Sequence, residues 1–256
     1  MRKALVLFGN EIERDALIDT VIYLKRSLGF KIEALYVRDV DREKIMTTPD
    51  GLIMAGRVPL MLQGWDAVEQ AEMDSLKKCF KDKGLEEELV CDIGNIVDVV
   101  TDHMKTCDML VIGKNDILGE REINILKGNY KTMLLIGDRP LQKMEKIYIG
   151  NDDGVKVNRS CYHFIHLFPE ITEFHSFVIN RDKQDKNQLI EYMEQNGKKV
   201  YHGELNHNKY EDVLAKVDEA DIFIMGNLSR NYFLEKIVGK NGVKLLEKGK
   251  APIFIG

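Results

Sequence analysis

Only five prolines and one tryptophan occur in 256 residues, and the four cysteines, Cys79, Cys91, Cys107 and Cys161, include no Cys-x-x-Cys pair. That spacing argues against a zinc knuckle and a disulfide framework, so the thiols read as small buried hydrophobes. No uninterrupted apolar run approaches the ~18 residues that span a bilayer. The chain opens Met1-Arg2-Lys3, continues with a short apolar run and then meets Glu11, Glu13 and Asp15. It lacks the longer apolar region and small-residue cleavage site of a secretory leader. The expectation is a soluble cytoplasmic protein with no membrane partner. A basic excess is missing too: 37 Lys+Arg stand against 42 Asp+Glu, a net charge of −5. A nucleic-acid binder needs a basic surface that displaces counterions, so no nucleic-acid partner is expected. Gly-x-Ser-x-Gly, Gly-x-Gly-x-x-Gly and Walker loops are all absent, which removes the usual signatures of hydrolases, dehydrogenases and P-loop ATPases.

What is present is a globular composition, 44% apolar and 31% charged, written twice. Lys3-Ala4-Leu5-Val6-Leu7-Phe8-Gly9-Asn10 is echoed by Lys146-Ile147-Tyr148-Ile149-Gly150-Asn151. Asp108-Met109-Leu110-Val111-Ile112-Gly113 is echoed by Asp221-Ile222-Phe223-Ile224-Met225-Gly226, and Met133-Leu134-Leu135-Ile136-Gly137 by Pro252-Ile253-Phe254-Ile255-Gly256. Short apolar runs closed by glycine and free of polar alternation suit parallel strands buried on both faces. Helical patterns separate them. The first starts on the capping-box-like Asn10-Glu11-Ile12-Glu13, buries Leu17, Val21, Leu24 and Leu28, and stops at Gly29. The next begins near Asp66 with Val68, Leu76 and Phe80 on its apolar face. The expected fold class is α/β, two tandem open parallel sheets with helices on both faces. The domains are residues 1–139 and 145–256, joined by a linker from Asp138-Arg139-Pro140 to Glu145.

The copies differ in length and charge. Residues 1–140 hold 20 Lys+Arg and 25 Asp+Glu, whereas residues 141–256 hold 17 of each. The surplus of the first copy lies mainly in residues 41–65, where Met46, Met54, Met61 and Trp65 sit in a Pro- and Gly-punctuated stretch. Such a long connection often packs against something or carries function, and segment 41–65 is read as a contact with the sister half or with a second protein chain, as in a dimer. The second copy is longer after Gly226, through Gly226-Asn227-Leu228-Ser229-Arg230 to Gly239-Lys240-Asn241. Glycine after a strand lets backbone approach a ligand, and glycine at a helix start leaves amides facing an anion. Lys236, Lys240, Lys244 and Lys248 recur every four residues, a solvated helix face in which only Lys240 is placed for a phosphate.

Counted out, Gly226, two residues, Ser229, nine residues and Gly239 resemble the nucleotide loop of the universal stress protein family, Gly-x2-Gly-x9-Gly-Ser/Thr. Ala251-Pro252-Ile253-Phe254-Ile255 resembles the closing strand of that family, and Asp153-Gly154 its Asp-Gly-Ser. The resemblance covers nearly the whole chain as a tandem pair, with the adenine nucleotide alpha hydrolase-like fold. It implies a stress-response sensor or regulator that takes ATP or AMP in the second half, with Gly226, Asn227, Ser229, Arg230, Gly239, Lys240 and Asn241 around the phosphates. The acidic residue at the base is Asp152 by strand count and Asp153 by the following glycine, and the second-strand backbone contact is near Val178. Ser229 replaces a glycine and Lys240 a Ser/Thr, so the loop is degenerate. In the first half Gly119 and Gly128 fit no part of the pattern, and no nucleotide is expected there. The alternative is a protein-interaction scaffold that binds no nucleotide and works as a dimer. His163, His166 and Cys161 offer no third ligand at metal spacing, and His103, His175, His202 and His207 form no triad with Ser160 or Ser229. No catalytic residue, no metal site and no enzymatic activity are expected.

Overall fold

The computed structural model describes residues 1–9, 14–39, 58–85, 89–114, 123–125, 128, 131–151, 154–178, 188–203, 210–226 and 247–256. The first copy runs β1 (Lys3–Phe8), α1 (Arg14–Arg26), β2 (Lys31–Asp39), α2 (Val58–Asp82), β3 (Leu89–Gly94), α3 (Ile96–Met104), β4 (Met109–Gly113) and β5 (Thr132–Ile136). The second runs β6 (Ile147–Asn151), α4 (Val155–Leu167), β7 (Glu173–Val178), α5 (Gln188–Gln195), β8 (Lys199–Gly203), α6 (Tyr210–Glu219), β9 (Ile222–Met225) and β10 (Ile253–Ile255). The first helix ends where glycine allows it, Gly29 at φ 67°, because only a residue without Cβ enters the left-handed region at little cost. Asn95 caps α3 by accepting from the amides of Val97 and Asp98, as helix starts require.

Within each half every strand pair is parallel, as the glycine-closed apolar runs foretell. The two sheets are nevertheless one. The strand order is β3-β2-β1-β4-β5-β10-β9-β6-β7-β8, and the join is the antiparallel pair β5·β10, with Leu134 opposite Phe254. The physical reason is edge satisfaction. β5 and β10 are buried along their whole length, and a buried strand edge without a neighbour would leave amides and carbonyls unpaired.

One hydrophobic cluster covers each face of this sheet, and each cluster crosses the join. The first unites Val6, Leu17, Phe80 and Leu134 with Phe164, Phe174, Ile224 and Phe254. The second unites Leu5, Leu110, Met133 and Val100 with Phe177, Val217, Phe223 and Ile253. Arg2 pins the halves at the surface: its guanidinium donates to the Leu167 carbonyl at 2.7 Å and to Glu170 at 2.8 Å while lying 4.7 Å over the Phe30 ring. The 137–146 connection is packed, with Leu141 1% exposed, its amide donating to the buried Thr20 Oγ1, and Arg139 donating to the Asp218 carbonyl.

The duplication is also written in hydrogen bonds. Asp108 donates its amide to the Lys3 carbonyl and accepts the Lys3 amide on its carboxylate, at 2.8 and 2.7 Å. Asp221 does the same to Lys146 at 2.8 and 2.9 Å.

Two local expectations are corrected. Helix α2 starts at Val58, eight residues before Asp66, and Val68 is 54% exposed while Leu76 and Phe80 are buried. Burial on α2 is thus confined to its later turns among the side chains described. Cys107 and Cys161 are buried, but Cys91 is exposed on the edge strand β3. Residues 40–57, most of the proposed contact segment 41–65, lie outside the described residues.

Phe254 meets Phe164 edge-on at 5.0 Å and has no exposed surface. Phe254→Ala should therefore cost about 3–5 kcal/mol and leave one cooperative unfolding transition, read by circular dichroism in urea. Two separated transitions in the wild type would contradict a core shared across the join.

Candidate functional site

An open parallel sheet offers its ligand crevice at the carboxyl ends of the strands where the strand order reverses. In the second half β6 lies between β9 and β7, so the reversal is at β6. Its rim is formed by Asn151, paired in register with Val178 at the end of β7, and by Gly226 directly after β9. Asn151 is 1% exposed.

Glycine at 226 is a packing requirement. A Cβ there would stand 3.0 Å from Lys156 Cβ and 3.1 Å from the Val157 amide nitrogen, so the first turn of α4 rests against the glycine backbone. At Gly256 a Cβ would stand 2.6 Å from Ser160 Cα, and its amide donates to Ser160 Oγ at 2.8 Å. The two glycines let α4 settle onto the ends of β9 and β10, which places the start of the helix at the crevice, where amides can face an anion.

Of the site residues named from sequence, Gly226 and Val178 fall on this one rim. Asp152, Asp153, Asn227, Ser229, Arg230, Gly239, Lys240 and Asn241 lie outside the described residues. In the chain Asp152 and Asp153 follow Asn151 directly, and Asn227 follows Gly226.

The first half has its reversal at β1, between β4 and β2. There the residue after the β4 glycine is Lys114, 5% exposed. Its amide donates to the Ile136 carbonyl and its Nζ to the Gly249 carbonyl, both at 2.7 Å. A Cβ on Gly137 would stand 3.5 Å from that Nζ, so the lysine lies along the join between β5 and the residues leading into β10.

Sequence reasoning missed a half-buried ionic group at the opposite, amino-terminal end of the first half. Glu33 on β2 accepts from Lys3 Nζ and is bonded to His103 Nδ1 of α3, whose Nε2 stands 3.3 Å from Asp92 on β3. The signal was a lone acid, Glu33, in the apolar run Ile32-Glu33-Ala34-Leu35. Burial alone would raise the Glu33 carboxyl, but the hydrogen bonds from Lys3 and His103 outweigh it and leave the group below its ordinary value. Burial likewise pushes His103 down, and the bonds to Glu33 and Asp92 reverse that, leaving it raised. Among the described residues no group of three or more His, Cys, Asp or Glu could hold a metal ion, and no helix is long and apolar enough to cross a membrane.

No protein-family model and no curated protein matches the chain. Solved structures do. A universal stress protein from Archaeoglobus fulgidus superposes with a TM-score of 0.68 at 15% identity, over 98% of this chain and 94% of that one. A functionally unknown protein from Pseudomonas aeruginosa superposes with a TM-score of 0.57 at 10% identity, over 99% of this chain and 92% of that one. The fold is that of the universal stress proteins, across both halves.

Gly226→Val should destabilise the protein by about 1–3 kcal/mol through contact with Lys156 and Val157, measured by urea denaturation. The ionic group gives a pH test. The raised His103 contributes stability that is full below its unfolded value near 6.5 and is lost as pH rises through its folded value. The lowered Glu33 contributes above its unfolded value near 4.3 and fades as pH falls through its folded one. The stability difference between wild type and His103→Gln should therefore be about 1 kcal/mol near pH 6 and shrink toward pH 8. A difference independent of pH would show that His103 stays neutral.

Proposed function

We propose that this chain is a tandem universal stress protein whose second half binds ATP or AMP at the carboxyl rim of β6, β7 and β9. It acts as a cytoplasmic stress-response sensor or regulator through binding, without turnover. The observation that carries the reading is Gly226, held at the point of strand reversal with α4 packed against it. From that glycine leaves the segment whose spacing, Gly226, Ser229 and Gly239, resembles a phosphate loop.

In this reading the base lies by Val178 and by Asp152 or Asp153. The phosphates meet backbone amides from Gly226 through Ser229 and Gly239, with Lys240 and Arg230 supplying positive charge and Asn227 and Asn241 further polar contacts. The neutral charge of residues 141–256 favours an anion there over the acidic first half. In the first half Lys114, which follows Gly113 as Asn227 follows Gly226, bonds to backbone, which fits a copy that takes no nucleotide.

Calorimetric titration with ATP and AMP tests the proposal. Binding should give heat with one site per chain and raise the melting temperature. A ligand at 100 times its Kd adds about 2.7 kcal/mol. Gly226→Val should abolish the heat. No heat and no thermal shift with either nucleotide would overturn the nucleotide role.

A further inference from the structure

The internal duplication supplies a control for every position, and one place fails to match. The paired Asp108 and Asp221 clamps align Lys3 with Lys146. From there Leu5 aligns with Tyr148, and through their register partners Glu33 aligns with His175. Five residues before each clamp aspartate, His103 of α3 aligns with Lys216 of α6. In the first copy the helix is closed onto the sheet by the acid–base contact of His103 with Glu33. In the second copy both positions are basic, so no such contact can form. Between α6 and strands β6, β7 and β8 a pocket of about 200 Å³ stands open instead.

Its floor is aromatic. Tyr148, His175 and Tyr201 stand side by side in register on three adjacent strands. The His175 and Tyr201 rings stack at 5.1 Å and 21°, and Tyr148 meets His175 at 5.1 Å. Phe177 extends the surface toward Phe223. The ionisable groups lining the pocket, apart from the two phenols, are His175, His202 and Lys216, and the carboxylates nearest it are bonded to its edge, Glu219 to the Tyr148 hydroxyl and Glu173 to the Tyr201 hydroxyl at 3.4 Å. Lys216 donates to Glu219 at 2.9 Å, a contact exposed to solvent that leaves two further protons on the ammonium. A dry cavity of roughly 150 Å³ takes benzene, so this pocket, about 200 Å³ and open on one side, seats one substituted ring or a compact fused pair.

We propose that the pocket binds a small planar aromatic carboxylate. The ring packs on Tyr148, His175 and Tyr201, and the carboxylate sits between His175 and Lys216, where the first copy carries the built-in carboxylate of Glu33. The site is on the face of the sheet beneath α6, and the inference does not rest on the nucleotide reading.

The test is titration of the full chain with 1-naphthoate and with its neutral counterpart 1-naphthylmethanol, followed by calorimetry and by the tyrosine and histidine ring resonances. Naphthoate should bind at least about tenfold more tightly than the alcohol, the value of one charge-assisted bond, and shift the Tyr201 and His175 signals. Lys216→Met, at a partly exposed position, should keep the fold and erase that preference. His175→Glu should recreate the acid–base closure of the first copy and abolish naphthoate binding. Saturating ATP should change neither result. The proposal is overturned if naphthoate does not bind at millimolar concentration, if the alcohol binds equally well, if His175→Glu leaves affinity unchanged, or if ATP competes.

Discussion

Everything in this molecule hangs on the antiparallel pairing of β5 with β10. Each half is an open parallel sheet that would otherwise end in a bare, wholly apolar edge strand. Three residue pairs remove both edges at once and let the hydrophobic cover of each face run unbroken from one half to the other. The Phe30–Phe168 contact at 5.6 Å and the Arg2 bonds to Leu167 and Glu170 lie outside the sheet but do the same work. Burial of this kind is nearly proportional to area, so a core continuous across two copies stabilises each more than either could alone.

Much of the fold is legible because parallel strands leave a plain trace. The runs ending at Gly9, Gly113 and Gly137, and their echoes, mark six of the strands from composition and repetition alone. The Asp before Met109 and the Asp before Ile222 were visible as part of that repeat, but their role as clamps was not, since a side chain accepting a backbone amide from another strand leaves no periodic signal. The union of the two sheets was also hidden. Two closing strands of the same character are equally compatible with separate domains, and the choice is made by long-range edge pairing. The start of α2 was misplaced because Asp66 looks like a cap, while the helix already runs through the Pro- and Gly-containing stretch before it.

The candidate site was legible as a spacing and only partly as a place. Gly226 announces itself as a glycine after a buried strand, and its reason becomes clear only when α4 is seen against it. Strand counting picks out Val178, and the structure has it at the end of β7 opposite Asn151, a register set by the apolar faces of the two strands. The aromatic pocket could not have been read in advance. It arises from the difference between two aligned positions, Glu33 against His175 and His103 against Lys216, and the alignment itself requires the structure. The same comparison explains why His103, dismissed as one of several scattered histidines, belongs to an ionic group.

The antiparallel join has a further geometric result. Because the strands of the second half run opposite to those of the first, the two carboxyl rims face away from each other, on opposite borders of one sheet. A ligand on either rim cannot touch the other, and the two cannot close on a shared guest like the jaws of a clamshell. Duplication here has produced a plate with two independent margins, each able to lose or acquire chemistry without unsettling the other, so long as the seam between them is kept.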